Sequence, residues 1–305
     1  MLNKNKIRIL ISDKIDSSGL KLLDKKKYYV KFRPGLSNSE IINLYSDFDV
    51  LVIRSTRKID KDFLLKCNFK IIASATKGLD HIDIETAKKK KIKIINSETG
   101  NTVSAAEHTF ALILSICKKI IFSDGLVRKN NFNFYDFERI ELRGKKIGII
   151  GFGKVGSRVA KYAEAFEMKI FANDIDKNVR EKNRNYNFKS IDFLLKNADI
   201  VTIHIPLNSD NANYINRVKL NLLNKKTILI NTSRGGIVDE NELLRKLKKN
   251  QIYYAGLDVF KNEPKIEKSF FWLENVVLTN HIAGKTKDSS KYISKDIFMQ
   301  VKKYF

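Results

Sequence analysis

KKIGIIGFGKVGSRVAKYAEAFEMKIFAND, residues 145 to 174, holds an apolar run, glycines at 151, 153 and 156, an amphipathic stretch, a second apolar run and a terminal acid, Asp174. Apolar runs rich in β-branched residues predict strands, and helical spacing of apolar positions between them predicts a helix. The order is strand, glycine-rich turn, helix, strand, acid, which is the βαβ unit that binds dinucleotides. Gly151 permits the tight turn off the strand, Gly153 lets a pyrophosphate approach the main chain, and Gly156 lets the helix pack close to the sheet. The helix start, at Lys154 and Val155, offers amide N–H groups and the positive end of its dipole to phosphates. Asp174 follows 18 residues after Gly156, where a carboxylate takes the ribose hydroxyls. That charge repels a 2′-phosphate, and Ile175 and Asp176 bring no arginine to receive one. NAD is therefore expected over NADP, with Lys177 the one opposing feature. A glycine triplet alone also fits an ordinary turn; the flanking strand, helix and acid carry the dinucleotide reading.

A chain of 305 residues suggests two domains, and 43% apolar residues suffice for their cores. The net charge is +24. The lysines are spread along the whole chain beside abundant asparagine and isoleucine, as AT-rich coding produces. No nucleic-acid motif accompanies them, so the expectation is a field that attracts an anionic small substrate, with no nucleic acid as partner. Cys67 and Cys117 are far apart in apolar contexts and read as buried thiols of a reducing cytoplasm. His81, His108, His204 and His281 share no ligand spacing with a cysteine or acid, and no metal site is expected. The start, MLNKNKIRILISD, lacks a signal peptide's apolar core and cleavage site, and FALILSICKKIIF (110–122) is broken by Lys118 and Lys119. A cytoplasmic protein without a membrane partner is expected.

From Lys6 to Asn96 the runs IRILIS, YYVKF, VLVIRS, KIIASA and IKIIN alternate with SSGLKLLDKK, SNSEIINLYSD, DKDFLLKC and DIETAKKKK. Strand–helix alternation predicts a parallel sheet covered on both faces. Gly100 to Phe122 reads as one long helix capped by Asn101 or Thr102. Beyond the dinucleotide unit, ADIVTIHIPL, KTILINTSRGG, YYAGLDVF and NVVLTNHIAG read as further strands, and KDSSKYISKDIFMQVKKYF as a closing helix. The fold class is α/β, with two doubly wound parallel-sheet domains. Their boundary near residue 99 rests on motif positions, not on a change in composition.

Open α/β sheets bind ligands beyond the carboxyl ends of their strands. Three such ends carry Arg234, then Asp258 with Glu263, then His281. Singly each has a structural reading: a turn arginine, a turn cap, a solvated loop acid, a satisfied core histidine. Together they suit oxidation of a hydroxy acid. A histidine takes the hydroxyl proton, a carboxylate holds its ring, and an arginine grips the substrate carboxylate.

LRGKKIGIIGFGKVG, INTSRGGIVDENEL, AGLDVFKNEP and NVVLTNHIAG resemble, in sequence and order, the signatures of the D-2-hydroxyacid dehydrogenase family. The resemblance covers nearly the whole chain. It implies a Rossmann cofactor domain over 99–287 and a discontinuous, flavodoxin-like substrate domain over 1–98 and 288–305, with a cleft between them. It implies Arg234 as substrate-binding arginine, Glu263 as partner acid and His281 as acid/base. Asp258 would hold the nicotinamide carboxamide, Thr232, Ser233 and Thr102 would lie in the cofactor site, and Pro206 would lie near the adenosine. IRSTRKID and ATKGLDHID resemble the segments that supply substrate contacts, here Arg54, Ser55, Lys77 and Gly78. RSTRKID, GNTVSAAE and RGGIVDE are most similar to the phosphoglycerate-oxidising branch, in its short form. That implies 3-phosphoglycerate as substrate, serine synthesis as pathway and a homodimer through the cofactor domain, with the helix near 100–122 as a contact. Glyoxylate, hydroxypyruvate or lactate-type reduction is the alternative within the family, and an NAD-sensing, corepressor-like binding protein the alternative outside catalysis. The chain departs from the pattern at Asn280, Ile175 and Asn208, where proline, proline and threonine are usual, and at Arg57, which replaces a small residue. Arg57 and Lys58 are read as added charge for a substrate phosphate, or as solvated side chains.

Overall fold

A computed structural model describes residues 6–132 and 138–305. The first five residues of the opening stretch, and part of the polar segment before the dinucleotide unit, lie outside the described residues. The chain divides into two compact units, Met1–Asn101 with Lys285–Phe305, and Thr102–Gly284.

The first unit is built on five parallel strands, β1 (Ile7–Ile11), β2 (Tyr28–Phe32), β3 (Val50–Ile53), β4 (Ile71–Ser74) and β5 (Lys93–Asn96), in the order β2-β1-β3-β4-β5. Successive strand residues point to opposite faces. Leu51 and Ile53 accordingly join one buried cluster and Val50 and Val52 another. Burial on both faces is why these strands read as unbroken apolar runs. The helix Asn38–Tyr45 starts at a capping box of Ser37 and Glu40, and Asp60 and Asp83 cap the two that follow. SSGLKLLDKK is a 3-10 turn, Ser17–Leu22, where a helix was expected. Its Gly19 lies against the closing helix, Lys287–Tyr304, so tightly that a Cβ would stand 2.3 Å from the Ser294 carbonyl oxygen. A Ser97 to Asp296 hydrogen bond of 2.6 Å also ties the closing helix to this unit.

The second unit has seven parallel strands, β6 (Lys146–Ile150), β7 (Lys169–Asn173), β8 (Asn187–Phe188), β9 (Ile200–Ile203), β10 (Ile228–Asn231), β11 (Tyr254–Leu257) and β12 (Val276–Leu278). Their order is β12-β11-β10-β9-β6-β7-β8, so the direction of winding reverses between β6 and β9. That switch point is where a doubly wound sheet opens its binding crevice. The two-residue β8 was not anticipated. The single helix expected over 100–122 is two, Thr102–Cys117 and Ile120–Val127. The break falls at Lys119, whose backbone is left-handed (φ 55). Its ammonium lies 3.4 Å from the centroid of the Tyr254 ring. That cation–π contact holds the side chain inward where a continuous helix would carry it round the axis. Burial pushes both the Cys67 and Cys117 thiols up to about 11, so neither is a thiolate at neutral pH. Among the described residues no helix is long and apolar enough to cross a membrane.

Candidate active site

Gly151 leaves β6 with φ 86, and a Cβ there would lie 2.7 Å from Ile205 and 2.8 Å from the His204 carbonyl. Gly156 touches the same turn; its Cβ would lie 2.0 Å from the Gly151 oxygen. Gly153 differs. It is the N-cap of the helix Lys154–Ala165, has no side chain to cap it, and a Cβ built there meets nothing within 4 Å. Two glycines are thus required by packing, and the third faces open space at a helix N-terminus, the arrangement that receives a phosphate. Asp174 ends β7 and reaches back: Oδ2 accepts the Phe152 N–H at 2.7 Å and Oδ1 the Asp176 N–H at 2.9 Å. Each oxygen keeps an acceptor direction for a ribose hydroxyl. The sequence neighbours of Asp174 include no arginine, but the fold brings Arg180 back, its Nη1 donating to the Asp174 and Ile175 carbonyls. Pro206 opens the loop after β9, and Asn208 there accepts the N–H groups of Asp210 and Asn211, closing the turn without a threonine. At the start of the long helix, Thr102 Oγ1 is buried with no hydrogen-bond partner among the described residues. Cradle, acid and orphaned hydroxyl fit a dinucleotide.

Asn231, Leu257 and Leu278 are paired in register across β10, β11 and β12, so Thr232, Asp258 and Thr279 leave the sheet side by side. Asn231 organises the first of these ends, accepting from the Ser233 N–H and hydroxyl and donating to the Arg234 carbonyl. Arg234 Nη1 donates to the Ser233 carbonyl. A Cβ on Gly235 would lie 1.9 Å from the Phe260 carbonyl carbon, so the Arg234 loop presses on the Phe260 main chain. Glu263 Oε1 accepts the Phe260 N–H at 2.9 Å, and its Oε2 accepts His281 Nδ1–H at 2.6 Å. The structure therefore links Arg234, Glu263 and His281 through adjoining loops.

His281 sits in a left-handed conformation (φ 56) without the preceding proline. Asp258 supplies the constraint. Its carbonyl accepts the His281 N–H at 2.8 Å, and its carboxylate accepts the Ile282 and Ala283 N–H groups, each at 2.9 Å. Burial alone would raise the Asp258 carboxyl, but hydrogen bonds from His108, Thr279, Ile282 and Ala283 outweigh it and hold the group below the usual carboxylate range. Sequence reasoning passed over His108, which reaches Thr279 at 2.9 Å, and Thr109, which reaches Thr232 at 2.9 Å. The available signal was a pair of polar residues inside an otherwise apolar helix. Glu240 was also passed over. Burial raises its carboxyl, the charge of Glu263 adds to the effect, and it accepts the Lys261 N–H.

In the first unit, Arg54 and Ser55 follow β3 while Lys77 and Gly78 follow the adjacent β4, at the carboxyl edge of that sheet. The Lys77 loop is pinned by Ile59–His81 and Asp83–Ile59 backbone bonds and by Asn96, which donates to the Lys77 carbonyl at 2.8 Å. Asp13 accepts the Arg54 N–H at 2.8 Å. Arg57 is neither a solvated side chain nor available charge. It donates to both Asp13 oxygens, to Asn38 Oδ1 and to the Ser12 and Leu36 carbonyls, so its guanidinium is engaged inside the unit.

Residues 110–283 match the D-isomer specific 2-hydroxyacid dehydrogenase, NAD binding domain. The chain is 34% identical over 300 residues to a D-3-phosphoglycerate dehydrogenase of Methanocaldococcus jannaschii, an alignment covering 97% of this chain and 57% of that protein. The chain thus spans little more than half the length of that relative. It is 33% identical over 298 residues to a hydroxypyruvate reductase of Thermotoga maritima, covering 96% of this chain and 97% of the relative. Among solved structures it is similar to the D-lactate dehydrogenase of Aquifex aeolicus complexed with NAD and lactic acid. The TM-score is 0.82 at 28% identity, covering 98% of this chain and 95% of that one.

Proposed function

The chain belongs to the D-isomer specific 2-hydroxyacid dehydrogenase family, and from that premise we propose that it interconverts a D-2-hydroxy acid and its 2-oxo acid with NAD as cofactor. The observation that carries this reading is the 2.6 Å hydrogen bond between His281 Nδ1 and Glu263 Oε2, held in loops that also carry Arg234. NAD, when bound, accepts or returns the hydride. With Nδ1 held by Glu263, Nε2 is the ring atom left to take the substrate hydroxyl proton in oxidation and to return it in reduction. Glu263 stabilises the imidazolium that this transfer creates. Arg234 grips the substrate carboxylate through its planar fork of donors and polarises the neighbouring carbonyl. Gly151, Gly153 and Gly156, the amides of Lys154 and Val155, and Asp174 hold the dinucleotide, with Pro206, Ser233 and Thr102 as further contacts.

For the substrate, 3-phosphoglycerate is supported by the phosphoglycerate dehydrogenase relative and by the RSTRKID segment. One observation favours an unphosphorylated acid such as hydroxypyruvate: the Arg57 guanidinium is bound to Asp13 and three further acceptors, which removes a cation expected near a phosphate. Arg54, Ser55 and the Lys77–Gly78 amides remain the proposed substrate contacts. The test is NADH oxidation with 3-phosphohydroxypyruvate, hydroxypyruvate, glyoxylate and pyruvate in parallel, repeated with NADPH. Preference for the phosphorylated acid supports the first reading, and preference for hydroxypyruvate the second. NADH binding without turnover of any acid would leave a cofactor-sensing protein.

A homodimer through the second unit is part of this proposal. The helix Thr102–Cys117 is largely buried, whereas Ile120–Val127 has no buried residue and exposes Ile120 (52%) and Ile121 (58%). We propose Ile120–Val127 as the apolar contact, supported by this exposure. Ile121→Asp is expected to halve the mass seen by light scattering, and an unchanged monomeric mass in both proteins would refute it.

A further inference from the structure

His108 and Thr109 are neighbours on the helix Thr102–Cys117, and the two side chains reach two different strand ends. Proton counting fixes the direction of each contact. Thr109 Oγ1 donates to the Ala105 carbonyl at 2.8 Å. A hydroxyl has one proton, so in the 2.9 Å contact between Thr109 and Thr232 the donor is Thr232. The Thr232 proton is thereby drawn toward the helix, and the lone pairs of its oxygen are left as acceptors. Thr279 Oγ1 lies 2.6 Å from Asp258 Oδ1, and a carboxylate only accepts, so Thr279 donates. Its oxygen must then accept from His108 Nε2 at 2.9 Å, which puts a proton on that nitrogen. The same nitrogen stands 3.5 Å from Asp258 Oδ1. Oδ1 thus takes Thr279 and the Ile282 N–H with His108 close by, Oδ2 takes the Ala283 N–H, and the Asp258 side chain is fully buried.

We infer that Thr109 is a positioning residue that turns the acceptor Thr232 Oγ1 toward the carboxamide N–H groups of the nicotinamide, while His108 holds the Thr279–Asp258 pair, whose Asp258 side chain is fully buried, at the adjacent strand ends. The inference rests on the NAD reading above and adds to it the residue that sets hydroxyl orientation from behind. Thr109→Val removes the acceptor for the Thr232 proton with little change of shape. The Thr232 hydroxyl is then free to turn its proton outward, where it opposes an amide donor. His108→Leu removes the donor to Thr279 and leaves Thr279 and Asp258 Oδ1 one partner short.

The experiment measures the affinity of the purified protein for three ligands by calorimetry: NAD, its 3-acetylpyridine analogue, in which a methyl replaces the amide NH2, and ADP-ribose, which lacks the ring altogether. Thr109→Val is expected to weaken NAD about three- to tenfold, the effect of one misdirected hydrogen bond. It is expected to leave the analogue and ADP-ribose within about twofold of wild type, since neither ligand offers the donors at issue. His108→Leu, which disturbs the buried pair, is expected to show no such selective loss of NAD. A purely structural role for Thr109 would weaken all three ligands together, and that result, or unchanged NAD affinity in Thr109→Val, overturns the inference. Thr232→Val is expected to show the same selective loss and tests the inference even if Thr109→Val does not fold. Failure of the wild type to bind NAD or ADP-ribose at all would instead overturn the cofactor reading, and this inference with it.

Discussion

Glu263→Gln is the most informative single change in the proposed acid/base pair. The carboxylate has two partners, the Phe260 N–H at Oε1 and His281 Nδ1–H at Oε2. Glutamine has one oxygen. If that oxygen stays on Phe260, the amide donates to Nδ1, the ring proton moves to Nε2, and the atom facing substrate loses the lone pair that takes a proton. If the amide flips to serve His281, its NH2 opposes the Phe260 N–H. A hydrogen bond to a charged group contributes about 1.5–3 kcal/mol. The pair is about one-third exposed (38% and 34%), which places it at the lower end of that range. A loss of roughly 1.5–2 kcal/mol corresponds to about a 10- to 30-fold fall in kcat, and the reversed tautomer extends it to about 100-fold or more. The assay is steady-state NADH oxidation with the preferred 2-oxo acid. KM is expected to change little, because neither Arg234 nor the dinucleotide cradle is touched. Groups that act as a unit are not additive, so Glu263→Gln combined with His281→Ala is expected to be no slower than His281→Ala alone. A fall in kcat of less than about threefold for Glu263→Gln, or full additivity in the double variant, would refute the pairing of these residues.

Gly153→Ala and Gly156→Ala separate ligand space from packing. A Cβ at 153 meets nothing within 4 Å, whereas at 156 it lies 2.0 Å from the Gly151 oxygen. Both are expected to weaken NAD by at least about tenfold, but only Gly156→Ala to lower unfolding stability, by about 1–3 kcal/mol in urea titration. Asp258 gives a pH signature. Its folded carboxyl is held below the usual range, so its contribution to stability is complete above the unfolded value of about 3.9 and is lost as pH falls through the folded one. Asp258→Asn is therefore expected to be less stable than wild type by about 1–3 kcal/mol near neutral pH, with the gap closing below about pH 4 in urea titrations at a series of pH values.

Much of the second unit was legible because its motif is enforced by short-range sterics. Gly151 and Gly156 are glycines since any side chain would meet main chain, and that constraint shows in a stretch of six residues. The strands were legible for a different reason: parallel strands buried on both faces leave unbroken apolar runs, as in Val50–Ile53 and Ile228–Ile230. What escaped depends on contacts distant in sequence. Lys119 breaks a helix because of Tyr254, which no local period announces. Arg57 is engaged by Asp13, 44 positions earlier, a pairing that no local pattern announces. His108 and Thr109 meet Thr279 and Thr232 across separations of 171 and 123 residues. The proposed roles of Arg234, Glu263 and His281 rest on the type and order of residues at strand ends and on the family resemblance. The structure adds the hydrogen bond between the last two.

Hydride exchange between NAD and carbon 2 of an acid, with His281 as proton carrier, leaves an isotopic record. NADH deuterated at the nicotinamide C4 is supplied with the preferred 2-oxo acid, and the product is read by mass spectrometry and chiral chromatography. The expected product is a D-2-hydroxy acid carrying one deuterium at carbon 2, formed by the wild type and lost in His281→Ala. An unlabelled product, an L product, or labelling undiminished in His281→Ala would contradict it.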